Sequence, residues 1–194
     1  MDSTDKSLID AHLQGDPTAF GELVRRYGNI VLGYLMRMSS NREQAEDLFQ
    51  ETFKRVHEKA HTFRGHQFKS WLFRIATHVA IDSLRRRRRL RVVSLNQNLD
   101  CVDTEGRELG VAAVADDSYE PCKEAIKSEQ AKQVQQAIQS LPTKQRATLI
   151  LAYYQQLSFS EVATVLGCSI GTVKTQMYRA LRTLAKKLPD TRAT

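Results

Sequence analysis

The stretch from Phe159 to Tyr178, FSEVATVLGCSIGTVKTQMY, leaves little freedom in how it folds. Ser158 stands just before it with Glu161 three residues on, the pairing that satisfies free backbone N–H groups at a helix start. Val162, Val165 and Leu166 supply an inner face, and Ala163 is small where two helices would cross closely. Gly167 follows the last apolar residue, where a left-handed backbone ends a helix and glycine alone adopts it without steric cost. Ser169 then caps a second helix in which Val173 and Met177 point inward. That leaves Thr172, Lys174, Thr175, Tyr178 and Arg179 on the outward face. The pattern predicts a helix-turn-helix whose second helix enters a DNA major groove, where Arg and Lys donate to guanine edges and hydroxyls reach bases or phosphates. A plain helical hairpin with a solvated basic face would not need the cap, the small residue and the glycine together.

The rest of the chain is read as helical too, because apolar residues recur at three- and four-residue steps and no strand-like alternation persists. Asp16-Pro17 marks a helix start, followed on one face by Phe20, Leu23, Val24, Tyr27, Ile30, Val31, Tyr34, Leu35 and Met38. A second helix opens near Asn41, with Gln44 three residues on and Ala45, Leu48, Phe49, Thr52, Phe53 and Val56 on its buried side. Its other side, Glu46, Asp47, Gln50, Glu51 and Lys54, is mainly acidic. After the turn-prone Thr62 to Gln67, a third helix runs from about Lys69 and ends in Arg85 to Arg89. From Leu90 to Pro121 periodicity lapses, and the segment is expected to be a flexible linker. Helical spacing then returns through Leu141, breaks at Pro142, and resumes at Ala147, Ile150, Leu151 and Tyr154. The expected fold is all-α: two small helical domains, 1–90 and 122–194, joined by an acidic linker over 91–121, with the helix-turn-helix in the C-terminal one.

Charge divides along the same boundaries. Residues 1–90 carry 16 Lys/Arg against 11 Asp/Glu, residues 91–121 carry 2 against 7, and residues 122–194 carry 11 against 4. Two basic modules thus flank an acidic connector, and basic modules gain free energy from phosphates by releasing condensed counterions. No apolar run approaches the length of a membrane span, and the start of the chain lacks a secretory pattern, so neither membrane insertion nor export is expected. Cys101, Cys122 and Cys168 form no CxxC pair, which argues against a disulfide framework or zinc site and for a reducing cytoplasm. His57 and His61, one turn apart, lack further ligands at usual spacing and are read as a solvated pair. No metal or cofactor is expected.

Taken in order, these segments resemble the extracytoplasmic-function sigma factors of bacterial RNA polymerase, over nearly the whole chain. AEDLFQETFKRVHEK at 45–59 is similar to the family's core-polymerase-binding helix, and FKSWLFRIATHVAIDSLRRRRR at 68–89 to its promoter-melting and −10 element. LPTKQRATLILAYYQQLSFSEVATVLGCSIGTVKTQMYRALRTL resembles its −35-reading domain. The resemblance implies that Asp47, Gln50 and Glu51 contact the largest polymerase subunit. It implies that the loop before Trp71 and the helix after it capture unstacked non-template bases. Phe63, Arg64, Phe68, Lys69, Trp71, Arg74 and His78 offer the aromatic faces and cations that this needs, although Phe68 and Trp71 could equally close the core. Thr172, Lys174, Thr175, Tyr178 and Arg179 would read the −35 element, and Arg85 to Arg89 would track phosphates. The implied partners are core RNA polymerase, promoter DNA and an anti-sigma factor.

Two positions depart from the family pattern: His78 stands where many members have Asn, and Gln176 where a basic residue is common. The first bears on the preferred −10 base and the second removes a phosphate contact. A competing reading is a helix-turn-helix regulator that binds DNA unaided, but it gives no reason for an acidic helix beside an aromatic and basic one. An enzyme acting on nucleic acid would need a carboxylate cluster for metal or an activated nucleophile, and neither is visible.

Overall fold

The structure is a computed structural model that describes residues 4–39, 41–64, 67–97 and 131–188, with the backbone alone at 88 and 90–97. All regular structure among the described residues is helical. Helices α1 (Asp5–Leu13), α2 (Pro17–Met38), α3 (Arg42–Lys59) and α4 (Phe68–Gln97) make the first module. The second has α5, described over 131–139, then α6 (Thr143–Leu149), α7 (Phe159–Leu166) and α8 (Ile170–Lys187). The connector over 98–121, Cys101, Cys122 and the residues up to 130 lie outside the described residues.

The helix starts follow the sequence closely. Asp16 accepts from the Thr18 N–H ahead of Pro17, and Asn41 accepts from the Gln44 N–H. Along α2 the fully buried members of the apolar stripe are Leu23, Val31, Tyr34, Leu35 and Met38. Ala45, Leu48, Thr52, Phe53 and Val56 are buried on α3, as their spacing requires. Tyr34 and Thr77 exchange a hydrogen bond of 2.7 Å between α2 and α4, which lets two polar groups sit in an otherwise apolar interior.

Two elements differ from expectation. α4 continues to Gln97, seven residues into the segment expected to be linker. The run Leu90 to Gln97 holds no Gly or Pro, so nothing local stops the helix after the arginines. In the second module the helix expected through Tyr154 changes at Ile150–Tyr154 into a π turn. It closes on Gln156, a non-glycine residue with φ of 55°.

The modules pack on each other. Buried residues from both, Leu35 and Phe73 in the first and Ile138, Leu141 and Leu151 in the second, belong to one continuous apolar cluster. α4 lies along α7, and the π turn rests on α2.

Candidate nucleic-acid interface

The helix-turn-helix forms as its residues dictate. Ser158 accepts from the Glu161 N–H while the Glu161 carboxylate accepts from the Ser158 N–H at 2.8 Å, a complete capping box. Those hydrogen bonds from Ser158 hold the Glu161 carboxyl below its ordinary range, with smaller help from Ser70 and the nearby charge of Lys69. Gly167 ends α7 at φ 63°, and Ser169 caps α8 through the Thr172 N–H. Val173 and Ala180 are fully buried and fix the rotation of α8. Thr172, Lys174, Thr175, Tyr178 and Arg179 are all exposed on its outer face. Thr172 and Thr175 already spend hydroxyls locally, on Ser169 and on the Gly171 carbonyl. Lys174, Tyr178 and Arg179 are therefore the longer-reaching groups of this surface. Arg182, exposed one turn beyond, extends it and was not singled out by sequence reasoning. Cys168 is half-buried in the turn and packs on the core.

In the first module, Asp47 and Gln50 are exposed on α3 and Glu51 is partly so, its carboxylate accepting from Arg55 Nε at 2.7 Å. They lie opposite Ala45, Thr52 and Val56, so the acidic face stands free of the core. His57 is exposed, yet its ring lies against His12 at 4.8 Å and Phe20 at 5.4 Å, which corrects the reading of a merely solvated pair with His61. Among the described residues no cluster of three metal-ligating side chains exists.

The residues expected to capture bases fall into two groups. Phe63, Phe68 and Trp71 form a ring cluster with centroids 5.4 to 5.6 Å apart, and Tyr27 closes on Phe68 from below. Phe68 is 1% exposed, so its even choice between core and base contact falls to core in this conformation. Phe63 and Trp71 are half-buried above it. Arg64, Arg74 and His78 are exposed beside them. Burial, then the Arg74 charge, pushes the His78 imidazole below its ordinary value, so near neutral pH it offers an uncharged donor and acceptor. Lys69 is turned away, its ammonium donating at 2.6 Å to the Gln155 carbonyl of the second module.

Of the arginine run, Arg85, Arg86, Arg87 and Arg89 are exposed, and Arg87 donates to Gln44 at 2.8 Å; the side chain at 88 lies outside the described residues. Sequence reasoning missed Gln139 and Arg146, which bond the Ser39 and Met38 carbonyls across the module boundary; a half-buried arginine bonded to carbonyls leaves no periodic trace.

Comparison with known proteins shows the family. The model of Sigma-70 region 2 matches residues 23–90, and that of Sigma-70, region 4 matches residues 131–184. The ECF RNA polymerase sigma factor SigW of Bacillus subtilis is 32% identical over 98% of this chain and all of its own length. The chain belongs to the ECF RNA polymerase sigma factors. RNA polymerase sigma-H factor of Pseudomonas aeruginosa is 33% identical, covering 95% of this chain and 93% of that protein. In fold, the chain is similar to the sigma factor RpoE of Bartonella quintana, solved in complex with the anti-sigma factor NepR. That likeness has a TM-score of 0.66 at 24% identity, over 89% of this chain and 98% of that one. As an ECF sigma factor the protein directs promoter-specific transcription initiation by RNA polymerase and performs no catalysis of its own.

Proposed function

We propose that the three surfaces divide the work of initiation. The α3 face of Asp47, Gln50 and Glu51 docks on core polymerase. The segment from Thr62 to His78 opens the −10 element and holds its bases, with Phe63, Trp71, Arg64, Arg74 and His78 as contacts, Lys69 joining once free of Gln155, and Phe68 as the floor beneath. α8 reads the −35 element through Lys174, Thr175, Tyr178 and Arg179, with Thr172 at its start. Residues 1–90 and 122–194 act as the two functional modules.

The observation that carries this reading is the free face of α8. A helix pinned by Val173 and Ala180 presents Thr172, Lys174, Thr175, Tyr178, Arg179 and Arg182 outward beside the exposed Ile170 and Leu181, and among the described residues neither Lys174 nor Arg179 is paired with a carboxylate. Half the surface chemistry needed for the −10 role is likewise present, in cations flanking half-buried aromatics. Work beside polymerase makes the cytoplasm its site of action, and among the described residues no helix is long and apolar enough to cross a membrane. An anti-sigma factor that covers the polymerase-docking surface is the expected regulator.

Run-off transcription with purified core polymerase on a promoter library tests the assignment. Specific transcripts that need both promoter elements support it. Specific DNA binding by the free chain as a twofold-symmetric dimer would favour an autonomous regulator instead.

A further inference from the structure

The floor of the aromatic cluster is itself supported from below. Phe68, the first residue of α4, has three rings against it: Phe63 and Trp71 each at 5.6 Å, and Tyr27 of α2 at 5.0 Å. Ring pairs at such distances are held by weak attraction that depends on orientation, so each ring takes its tilt from whatever fixes its neighbours. Phe63 and Phe68 carry no polar group by which they could be fixed. Tyr27 does. Its hydroxyl donates to Asp5 Oδ2 at 2.5 Å, and Asp5 Oδ1 accepts from Nη1 of the adjacent Arg26 at 3.1 Å. A hydrogen bond to an ionised carboxylate is shorter and stronger than one between neutral groups. Burial, then the Asp5 carboxylate, pushes the Tyr27 phenol above its ordinary value, so it stays protonated and able to donate near neutral pH.

Asp5 stands in the first turn of α1, a helix that supplies none of the three working surfaces. Its carboxylate is not needed to start that helix, because Thr4 is the cap and accepts from the Ser7 N–H at 3.2 Å. Nor does it alone seat α1, since Leu8 and Ile9 are buried in the apolar cluster. What the carboxylate does reach is α2, at the one ring that touches the floor of the base-capture cluster.

We propose that Asp5 is a positioning residue for −10 capture: by holding Tyr27 it fixes the tilt of Phe68, and through Phe68 the placing of Phe63 and Trp71, the half-buried rings on which unstacked bases lie. The inference rests on the reading of Thr62 to His78 as the −10 segment. Asp5 itself touches no base. Its effect is to deliver the rings already aligned, so that ordering them does not have to be offset by the energy of stacking.

Trp71 is the only tryptophan of the chain, so its fluorescence reports on the cluster directly. In the free full-length chain, Asp5→Ala and Tyr27→Phe should each leave Trp71 more readily quenched by acrylamide, with helicity by circular dichroism unchanged. In holoenzyme, the probe is a fork-junction DNA with single-stranded non-template −10 bases, drawn from promoters that run-off transcription selects. Each variant should bind it roughly fivefold more weakly, the factor that goes with one net hydrogen bond, at unchanged affinity for core polymerase. The double variant should be no worse than either single one, because both break the same link. Asp5→Asn keeps an oxygen acceptor for the phenol and should recover most of the loss. Ile9→Val supplies the contrast: it loosens α1 by packing alone, and should lower the melting temperature without moving Trp71 quenching or probe binding. Equal probe losses from Ile9→Val and Asp5→Ala would make Asp5 a mere anchor for α1 and overturn the proposal, as would additive losses in the double variant. Phe63→Ser with Arg64→Ser separates this inference from the reading beneath it. If that pair binds the probe normally, the −10 reading fails and takes the proposal with it. If the pair loses the probe while Asp5→Ala moves neither readout, the positioning role fails and the −10 reading stands.

Discussion

At the scale of single residues, Asp47 with Glu51, Arg179 and Glu161 make separable commitments. Asp47 and Glu51 lie off the apolar stripe of α3, and Glu51 pairs with Arg55 one turn on, both half-exposed. Reversing both charges, Asp47→Lys with Glu51→Lys, should abolish binding to core polymerase while shifting unfolding free energy by only about 0.5 kcal/mol. A co-purification assay beside a denaturant melt checks both halves. Arg179 is exposed on α8 with a full guanidinium to offer. If it reads a base edge, Arg179→Ala should cost roughly 1 to 3 kcal/mol on the preferred promoter and relax selectivity at one position. Competition among promoter variants at fixed salt measures this, and an equal loss on every sequence would mark a phosphate contact. Glu161 carries a pH dependence. Its carboxyl is held below the ordinary value by Ser158, so the unfolded chain takes up the proton more readily. The capping-box contribution is therefore present above the ordinary carboxylate range and is lost as pH falls through the lower, folded value. Acid titration of helicity should show that loss in the native chain and little of it in Ser158→Ala, which should itself be less stable by about 1 kcal/mol.

Among the elements, those with a complete local code were legible and those defined by distant partners were not. Ser158, Glu161, Ala163, Gly167 and Ser169 specify the helix-turn-helix within a dozen residues, and each occupies its expected place. The start of α3 at Asn41 was equally plain. The end of α4 was not, because a basic run looks like a helix end whether or not the chain goes on turning. The π turn at Ile150–Tyr154 was hidden for a different reason: its apolar residues keep a helical spacing, and the widening is visible only in the hydrogen bonds, such as Gln155 N–H to Ile150 carbonyl at 3.1 Å. Among the site residues, exposure on α3 and α8 followed from the apolar pattern, whereas the placing of Phe68 beneath Phe63 and Trp71 needed Tyr27, forty-odd residues away in sequence. The loop ahead of α4 supplies the prediction at this scale. Phe63→Ser with Arg64→Ser should leave core binding and duplex promoter binding largely intact and reduce open complex, since stacking is worth about 1 to 3 kcal/mol per captured base. Permanganate reactivity of −10 thymines, measured beside polymerase affinity, separates base capture from assembly.

For the molecule as a whole, the continuous cluster from α1 through α8 joins the cores of the two modules in this form. Thermal unfolding of the free chain should therefore be one transition, with calorimetric and van't Hoff enthalpies in agreement. Two resolved transitions would show that the modules unfold separately. The contacts across the boundary have a further consequence that follows from mass action. Both halves belong to one chain, so each meets the other at an effective concentration fixed by the tether and not by how much protein is present. Dilution cannot loosen such a grip, nor can abundance tighten it. Only a ligand that discriminates between the joined and parted arrangements shifts the balance, and it does so in proportion to its own supply.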